Sequence, residues 1–365
     1  MNAVAVATSV ALFVVAPSVV LQACGGDGVV APRQEPPPDC PGVDERLEGL
    51  YGLLDTGQLA HIQHTMSVVV PEDARRDVVD MFLRLIRRFE PGTFENLAGQ
   101  VDSVDKPGLV DALAAVVRLL ASDGPGAPYP DALAALRGTL ASCELGPTLE
   151  LVADVLEDDA LLRAVVDVLA EGGLPEALGG LEVDEIEGRE ALRLLVRNLL
   201  VSASSPDFDA RTLIDLLGFV VNLEEEPWPA LVAGVERFLA PGPSLEALQG
   251  LLVCFLEVDP EASLGPPLFD IITSETLDLA GAVGALPPPG EPVASPEVVY
   301  VLTTALRFVA EDPEAERALV SVLLVMLRND VAPGVLTDVA ALLEADVVGD
   351  ILRLLATLAT RTCTL

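Results

Sequence analysis

The feature that most limits the fold of this chain is an apolar pattern that recurs with helical spacing. Asp111 opens the stretch DALAAVVRLL, in which positions +1, +2, +5, +6 and +9 from the acid are all apolar. The same positions are apolar in four further stretches, which begin at Asp159, Glu190, Glu246 and Arg317. A sixth, at Asp131, departs only at Arg137. This spacing gives a helix one broad apolar stripe and predicts an all-α fold.

The spacing between these helices bears on the architecture. The five full copies start 48, 31, 56 and 71 residues apart, whereas helical repeat families keep a near-constant period of about 34 to 47 residues. Many short helices separated by brief turns nevertheless favour an irregular stack of antiparallel helical hairpins that resembles HEAT or armadillo repeats. A compact multi-helix bundle is the alternative.

The N-terminus contains an apolar run with no charged side chain. Residues 1–26 lack charge, and the run from Val10 to Leu21 is interrupted by Pro17, so it is too short for a membrane-spanning helix and is typical of a signal peptide. It ends in the sequence Leu21-Gln22-Ala23-Cys24. This ending resembles the lipobox of bacterial lipoproteins. The resemblance implies that residues 1–23 are a signal peptide and that Cys24 is acylated.

Several expectations follow from this resemblance. Residues 24–42, rich in Gly and Pro, are predicted to be a tether. Gly25, where an Asp would favour inner-membrane retention, implies delivery to the outer membrane of a bacterial cell envelope, facing the periplasm or the cell surface. No Lys or Arg precedes the apolar run, so we expect translation to begin further upstream.

A proline-rich segment predicts a division of the folded part. The longest such segment, LPPPGEPVASP, runs from Leu286 to Pro296. It predicts a linker at residues 287–296 between a main helical domain at 43–286 and C-terminal helical hairpins at 297–365.

The charge of the chain excludes some partners. Fifty-seven acidic residues against 21 basic ones give a formal net charge of −36, which argues against nucleic-acid binding. Anionic lipid head groups would repel such a body, so we expect it to be held at the membrane by acyl chains.

Four cysteines remain if Cys24 is lipidated: Cys40, Cys143, Cys254 and Cys363. An even number in an oxidising envelope predicts two disulfides with three possible connectivities. We favour Cys40–Cys143 with Cys254–Cys363, in which neither bridge crosses the other. Cys254 could instead remain a buried free thiol.

Two groups of side chains suggest metal chemistry. His61 and His64, the only histidines, are spaced to share a metal ion, but no HExxH motif or nearby Cys supports this, so we interpret them as helix-surface residues and predict no metal or cofactor. Acidic runs at residues 157–159, 182–187 and 224–226 lack the EF-hand pattern. We interpret them as helix caps and solvated surface, with loose Ca²⁺ association as the alternative.

A group of arginines is the candidate interaction patch. One predicted helix, PEDARRDVVDMFLRLIRRF, carries Arg75, Arg76, Arg84, Arg87 and Arg88. Local pairing with Asp77 and Asp80 is one interpretation. A basic patch for an acidic partner or for lipid head groups is the other.

The sequence contains no GxSxG elbow, P-loop, Rossmann fingerprint or zinc-type Cys pair, and no catalytic residue is assigned. We therefore expect a lipid-anchored extracytoplasmic helical protein that binds or scaffolds a partner protein. A carboxylate-dependent hydrolase in a helical fold and an acidic envelope protein that binds divalent cations are the alternatives.

Overall fold

A computed structural model describes most of the region from residue 52 to residue 360. The described residues are 52–54, 56–70, 74–101, 110, 114, 129–171, 186–208, 210–218, 221–263, 265–266, 293–328, 330–345 and 347–360. Among them the regular structure is helical and no strand occurs, so the predicted all-α class is confirmed. Cys24, Cys40 and Cys363 lie outside the described residues.

Fourteen α-helices make up the described part of the chain. In order they are α1 (Thr56–Val69), α2 (Arg75–Ile86), α3 (Pro91–Val101), α4 (Tyr129–Ser142), α5 (Gly146–Glu157), α6 (Asp159–Glu171), α7 (Ile186–Ala203), α8 (Ala210–Leu217), α9 (Trp228–Phe238), α10 (Pro243–Val258), α11 (Pro296–Glu311), α12 (Pro313–Met326), α13 (Ala332–Glu344) and α14 (Val348–Thr360). The apolar stretches at Asp131, Asp159, Glu190, Glu246 and Arg317 fall in α4, α6, α7, α10 and α12. Most of the stretch at Asp111 lies outside the described residues.

The joint between α11 and α12 shows how single residues set helix boundaries. Asp312 separates the two helices in an extended conformation, and its side chain accepts hydrogen bonds from the backbone N–H groups of Glu314 and Ala315. Pro313 occupies the first turn of α12, where its missing N–H costs nothing and its ring prevents α11 from continuing. Asp312 and Pro313 therefore set the boundary between the two helices.

The main core joins the two ends of the described chain. It combines buried residues of α1, α2 and α3 with those of α11, α12, α13 and α14. Its largest fully buried side chains include Ile86 and Phe94 from the first group and Val301, Leu354 and Leu355 from the second. Helix α14 packs on α3 and α2, while α11 packs on α5 and α3.

This core closes the stack of helices on itself. In repeat proteins each unit contacts only its neighbours in sequence, whereas here α12 packs against α1 and α2, and α13 against α1. The helices are stacked as predicted. Because the two ends of the described chain also pack together, the stack is compact, as in the multi-helix bundle that was the alternative. The linker predicted at 287–296 lies mostly outside the described residues and stays a prediction. A boundary at these residues would divide the sequence into two parts, but this core contains helices from both parts.

The helices in the middle of the chain are less deeply buried. Helices α6 and α9 pack together, as do α7 and α10, and a small apolar cluster surrounds Leu239 and Leu245. In the described part of the chain no single helix has the length and apolar character to cross a bilayer. Helices α9 and α10 have the necessary length and apolar character only when they are taken together, and an 88° bend separates them.

The disulfide found in the structure corrects the favoured pairing. Cys143 bonds to Cys254 of α10, with an S–S distance of 2.07 Å and a Cα–Cα distance of 5.9 Å, so Cys40–Cys143 and Cys254–Cys363 are both wrong. The physical reason is that α10 packs against both α4 and α5, which brings together two cysteines 111 residues apart. Of the three possible connectivities, the one that contains Cys143–Cys254 pairs Cys40 with Cys363. That second bridge stays a prediction.

Replacing both Cys143 and Cys254 by Ser should lower the free energy of unfolding by about 2–5 kcal/mol, because the unfolded chain regains the freedom of a long closed loop. Denaturant unfolding of the oxidised protein measures the loss. Wild-type protein treated with a reductant serves as the control and should approach the variant. Peptide mapping that finds Cys143 bonded to any other cysteine would contradict the assignment.

Candidate functional site

A surface groove between α2 and α12 coincides with the arginine group singled out from the sequence. Its volume is about 960 Å³. Ten described residues line the groove, and six of these are charged. The lining consists of Ala74, Asp77, Asp80, Leu83, Arg84, Arg87, Glu314, Arg317, Ala318 and Ser321.

The amphipathic pattern of α2 places these charges. Val78, Phe82, Leu85 and Ile86 are buried in the main core. The acids and arginines that line the groove follow one another at intervals of three or four residues along α2. This spacing places them together on the face of the helix opposite the core. Burial of the apolar face therefore determines which charges are presented.

Arg84 and Arg88 attach α2 to the joint between α11 and α12. Nη1 of Arg84 donates a 2.7 Å hydrogen bond to Oδ2 of Asp312. Nη1 of Arg88 donates to Oε2 of Glu311 at 3.4 Å. Both guanidinium groups lie over the ring of Phe308, with Cζ 6.0 Å and 5.1 Å from its centroid. Ion pairs and cation–π contacts thus fix one end of the groove.

Only some of the five arginines predicted to form an interaction patch lie on one surface. Arg84 and Arg87 line the groove, and Arg88 lies at the α11 contact. Arg76 is 4.0 Å from Asp80, which is the local pairing expected from the sequence. The Nε of Arg75 is buried without a hydrogen-bond partner.

Sequence reasoning missed the wall that α12 contributes. Glu311, Asp312, Glu314 and Arg317 come from the run EDPEAER, more than 220 residues after α2. A dense run of charges at a helix break was a usable signal, but nothing in the sequence shows which helix it faces.

A second groove lies beside the disulfide. Its volume is about 610 Å³, and its lining includes Cys143 and Cys254. Among its described lining residues the charged ones are all acidic: Glu144, Glu150, Asp154 and Glu246. Within the described residues no group of three or more His, Cys, Asp or Glu side chains is arranged to hold a metal ion.

The acidic run at residues 157–159 includes one helix cap, as the sequence interpretation predicted, and also contacts with distant residues that it did not predict. Arg307 of α11 donates from Nη1 and Nη2 to the two carboxylate oxygens of Glu157, at 2.6 and 2.8 Å. Asp158 accepts from the N–H of Leu161 and pairs with Arg237. Asp159 accepts from the N–H of Val293.

These contacts displace the pKa values of the acids. The hydrogen bond from Arg307 lowers the pKa of Glu157 below its ordinary value. Burial alone would raise the pKa of Asp158, but hydrogen bonds from Leu161 and Arg237 outweigh it, and the pKa is lowered. Of the other acidic runs, 224–226 is exposed, whereas the side chains of 182–187 lie outside the described residues.

The two histidines lie on α1, and one of them has a distant partner. Nδ1 of His61 is 2.5 Å from Oδ1 of Asp338 on α13. His64 is exposed one turn further along α1. Asp338 was missed because it is 277 residues away. The available signal was its place on the apolar stripe of α13, beside the buried Val335 and Val339.

The chain was compared with known proteins at three levels. No family model, no curated protein and no solved structure matches it.

The Arg307–Glu157 contact predicts a pH-dependent contribution to stability. Because the pKa of Glu157 is lowered in the folded protein, the contribution is present above the ordinary value of 4.5. It is lost as the pH falls through the lower folded value. At pH 7, Arg307→Gln should therefore cost at most about 1 kcal/mol, since the pair is exposed, and at pH 3 the difference from wild type should shrink.

Denaturant unfolding at both pH values and NMR titration of the Glu157 carboxyl carbon measure these effects. Arg328→Gln is the matched control, because Arg328 pairs with Asp330 two residues away and its loss should leave the pKa of Glu157 unchanged. A Glu157 pKa that does not rise in Arg307→Gln would contradict the prediction.

Proposed function

We propose that this protein is a lipid-anchored extracytoplasmic helical protein that binds a partner protein through the groove between α2 and α12. The anchoring part rests on the apolar run that ends in Leu21-Gln22-Ala23-Cys24. The binding part rests on one observation, the concentration of charges of both signs in an open groove of about 960 Å³.

The lining of the groove favours a protein segment over a small molecule. Pockets for small molecules are mostly apolar with a few polar groups, whereas six of the ten residues here are charged. Leu83 and Ala318 provide an apolar floor. An apolar strip with charged sides suits the side chains of a peptide segment, whose own charges then provide specificity.

The order of the charges indicates the chemistry of the segment. Along α2 the acids Asp77 and Asp80 come first and Arg84 and Arg87 follow, while α12 adds Glu314 and Arg317 to the lining. Glu314 lies 3.6 Å from Nη2 of Arg84. A fitting segment carries basic side chains at the end that meets the acids and acidic side chains at the end that meets Arg87 and Arg317. Arg84 also donates to Asp312, and Nε of Arg317 donates to the backbone oxygen of Pro313, so these contacts hold two of the three guanidinium groups in place.

The hydrolase alternative receives less support from the titratable groups. A general acid in carboxylate catalysis needs a raised pKa. The described carboxyls with displaced pKa values, those of Glu157, Asp158, Glu297 and Asp330, are all lowered. Their hydrogen-bond donors hold them ionised, which suits structural pairing.

The anchor is tested by Cys24→Ser. We expect the native protein to partition with membranes and its mass to include the acyl chains, and the variant to appear in the soluble envelope fraction. Cys40→Ser is the matched control, since it removes a thiol from the same tether and should leave partitioning unchanged. A variant that still partitions with membranes contradicts the proposal.

The groove is tested by placing a photo-crosslinking residue at Ser321, which lines it, and irradiating intact cells. We expect one crosslinked partner. Placing the same residue at Glu224, which is exposed and does not line this groove, should not give that product.

Charge reversal then tests the mechanism. Arg87→Glu combined with Arg317→Glu should abolish the Ser321 product, because the acidic end of the segment would be repelled. Arg76→Glu is the matched control, because Arg76 lies on the same helix but does not line the groove. Equal crosslinking in the double variant would refute binding at this groove.

A further inference from the structure

The contact between His61 and Asp338 has the chemistry of a metal ligand and its supporting carboxylate. Asp338 is 7% exposed, and its Oδ2 atom is buried without a hydrogen-bond partner. The side chain of His61 is 53% exposed. A buried acceptor therefore holds an imidazole whose other edge faces the solvent.

The carboxylate selects which ring nitrogen carries the proton. A carboxylate only accepts hydrogen bonds, so Nδ1–H of His61 donates to Oδ1 of Asp338. In the neutral ring the lone pair is then on Nε2, the atom that is free to bind a metal ion. Histidines that ligate metals almost always donate their other ring N–H in this way.

His64 supplies a second imidazole close to the first. Residues three apart on a helix are neighbours, with Cβ atoms about 5–6 Å apart. Ile62, Thr65 and Met66 are buried, so packing holds α1 with both histidines at the exposed side. Paired ligands at this i, i+3 spacing occur in metal-binding helical bundles.

We propose that Nε2 of His61 and the imidazole of His64 bind one Zn²⁺ ion, with Asp338 as the positioning residue. Two water molecules complete the tetrahedral coordination, one more than in zinc sites with three protein ligands. Imidazole is a preferred ligand of this ion. The net charge of −36 raises the local concentration of the cation. This site is separate from the groove between α2 and α12.

Isothermal titration calorimetry of the detergent-extracted full chain with ZnCl₂ tests the proposal. Wild-type protein should bind one equivalent in a saturable step. His61→Gln and His64→Gln should each weaken that step by at least about tenfold, and Asp338→Asn by about 10- to 100-fold. Glu224→Gln is the matched control, because it removes one carboxylate from an exposed acidic run and should leave the affinity unchanged.

A second measurement separates positioning from folding. Long-range ¹⁵N–¹H NMR of the metal-free protein should show the Nδ1–H tautomer of His61 in wild type and a loss of that preference in Asp338→Asn. Circular dichroism should show equal helicity in all variants. A His61→Gln/His64→Gln double variant that binds Zn²⁺ as wild type does overturns the site, as does a wild type without saturable binding below about 1 mM. Unchanged affinity in a folded Asp338→Asn overturns the positioning role.

Discussion

The structure depends on the burial of apolar surface between its first three helices and its last four. Phe94 and Ile86 from one end of the described chain and Leu354 and Leu355 from the other lie in a single core. Both walls of the charged groove have their apolar faces in this core, and so do the helices that carry His61 and Asp338. Burial of this kind supplies the dominant favourable free energy in folding, and here it also brings the functional surfaces together.

Polar residues then refine what burial has assembled. Asp312 ends one helix and caps the next, and it also accepts the hydrogen bond of Arg84. Asp158 accepts a hydrogen bond from the N–H of Leu161 in the first turn of α6, and it pairs with Arg237 of α9. Each of these acids serves a helix terminus and a contact between helices at once. This dual use explains how a strongly acidic chain can employ its carboxylates without a metal ion at each cluster.

The features of this structure that could be predicted from the sequence depend on neighbouring residues, whereas those that could not depend on residues far apart in the chain. The apolar spacing after Asp159 or Glu246 is a local property, and the helices that it predicts are present. Which helices pack together depends on distant surfaces, so the partners of Cys143, Arg84 and His61 could not be read from the sequence. The favoured disulfides were wrong for this reason. For Asp338 the sequence does indicate that a partner exists, because a carboxylate on an apolar helix face requires one. It does not indicate which residue that partner is.

The closed core also has a consequence for the synthesis of the chain. Helix α3 ends at Val101 and α11 begins at Pro296, about 200 residues later. At a typical translation rate of about 5–20 residues per second, this gap lasts about 10–40 s. Throughout that time the apolar faces of α1, α2 and α3 have emerged while the helices that will cover them do not yet exist. This core can therefore be completed only after α11–α14 have been made, and until then the apolar faces of α1, α2 and α3 lack the helices that bury them.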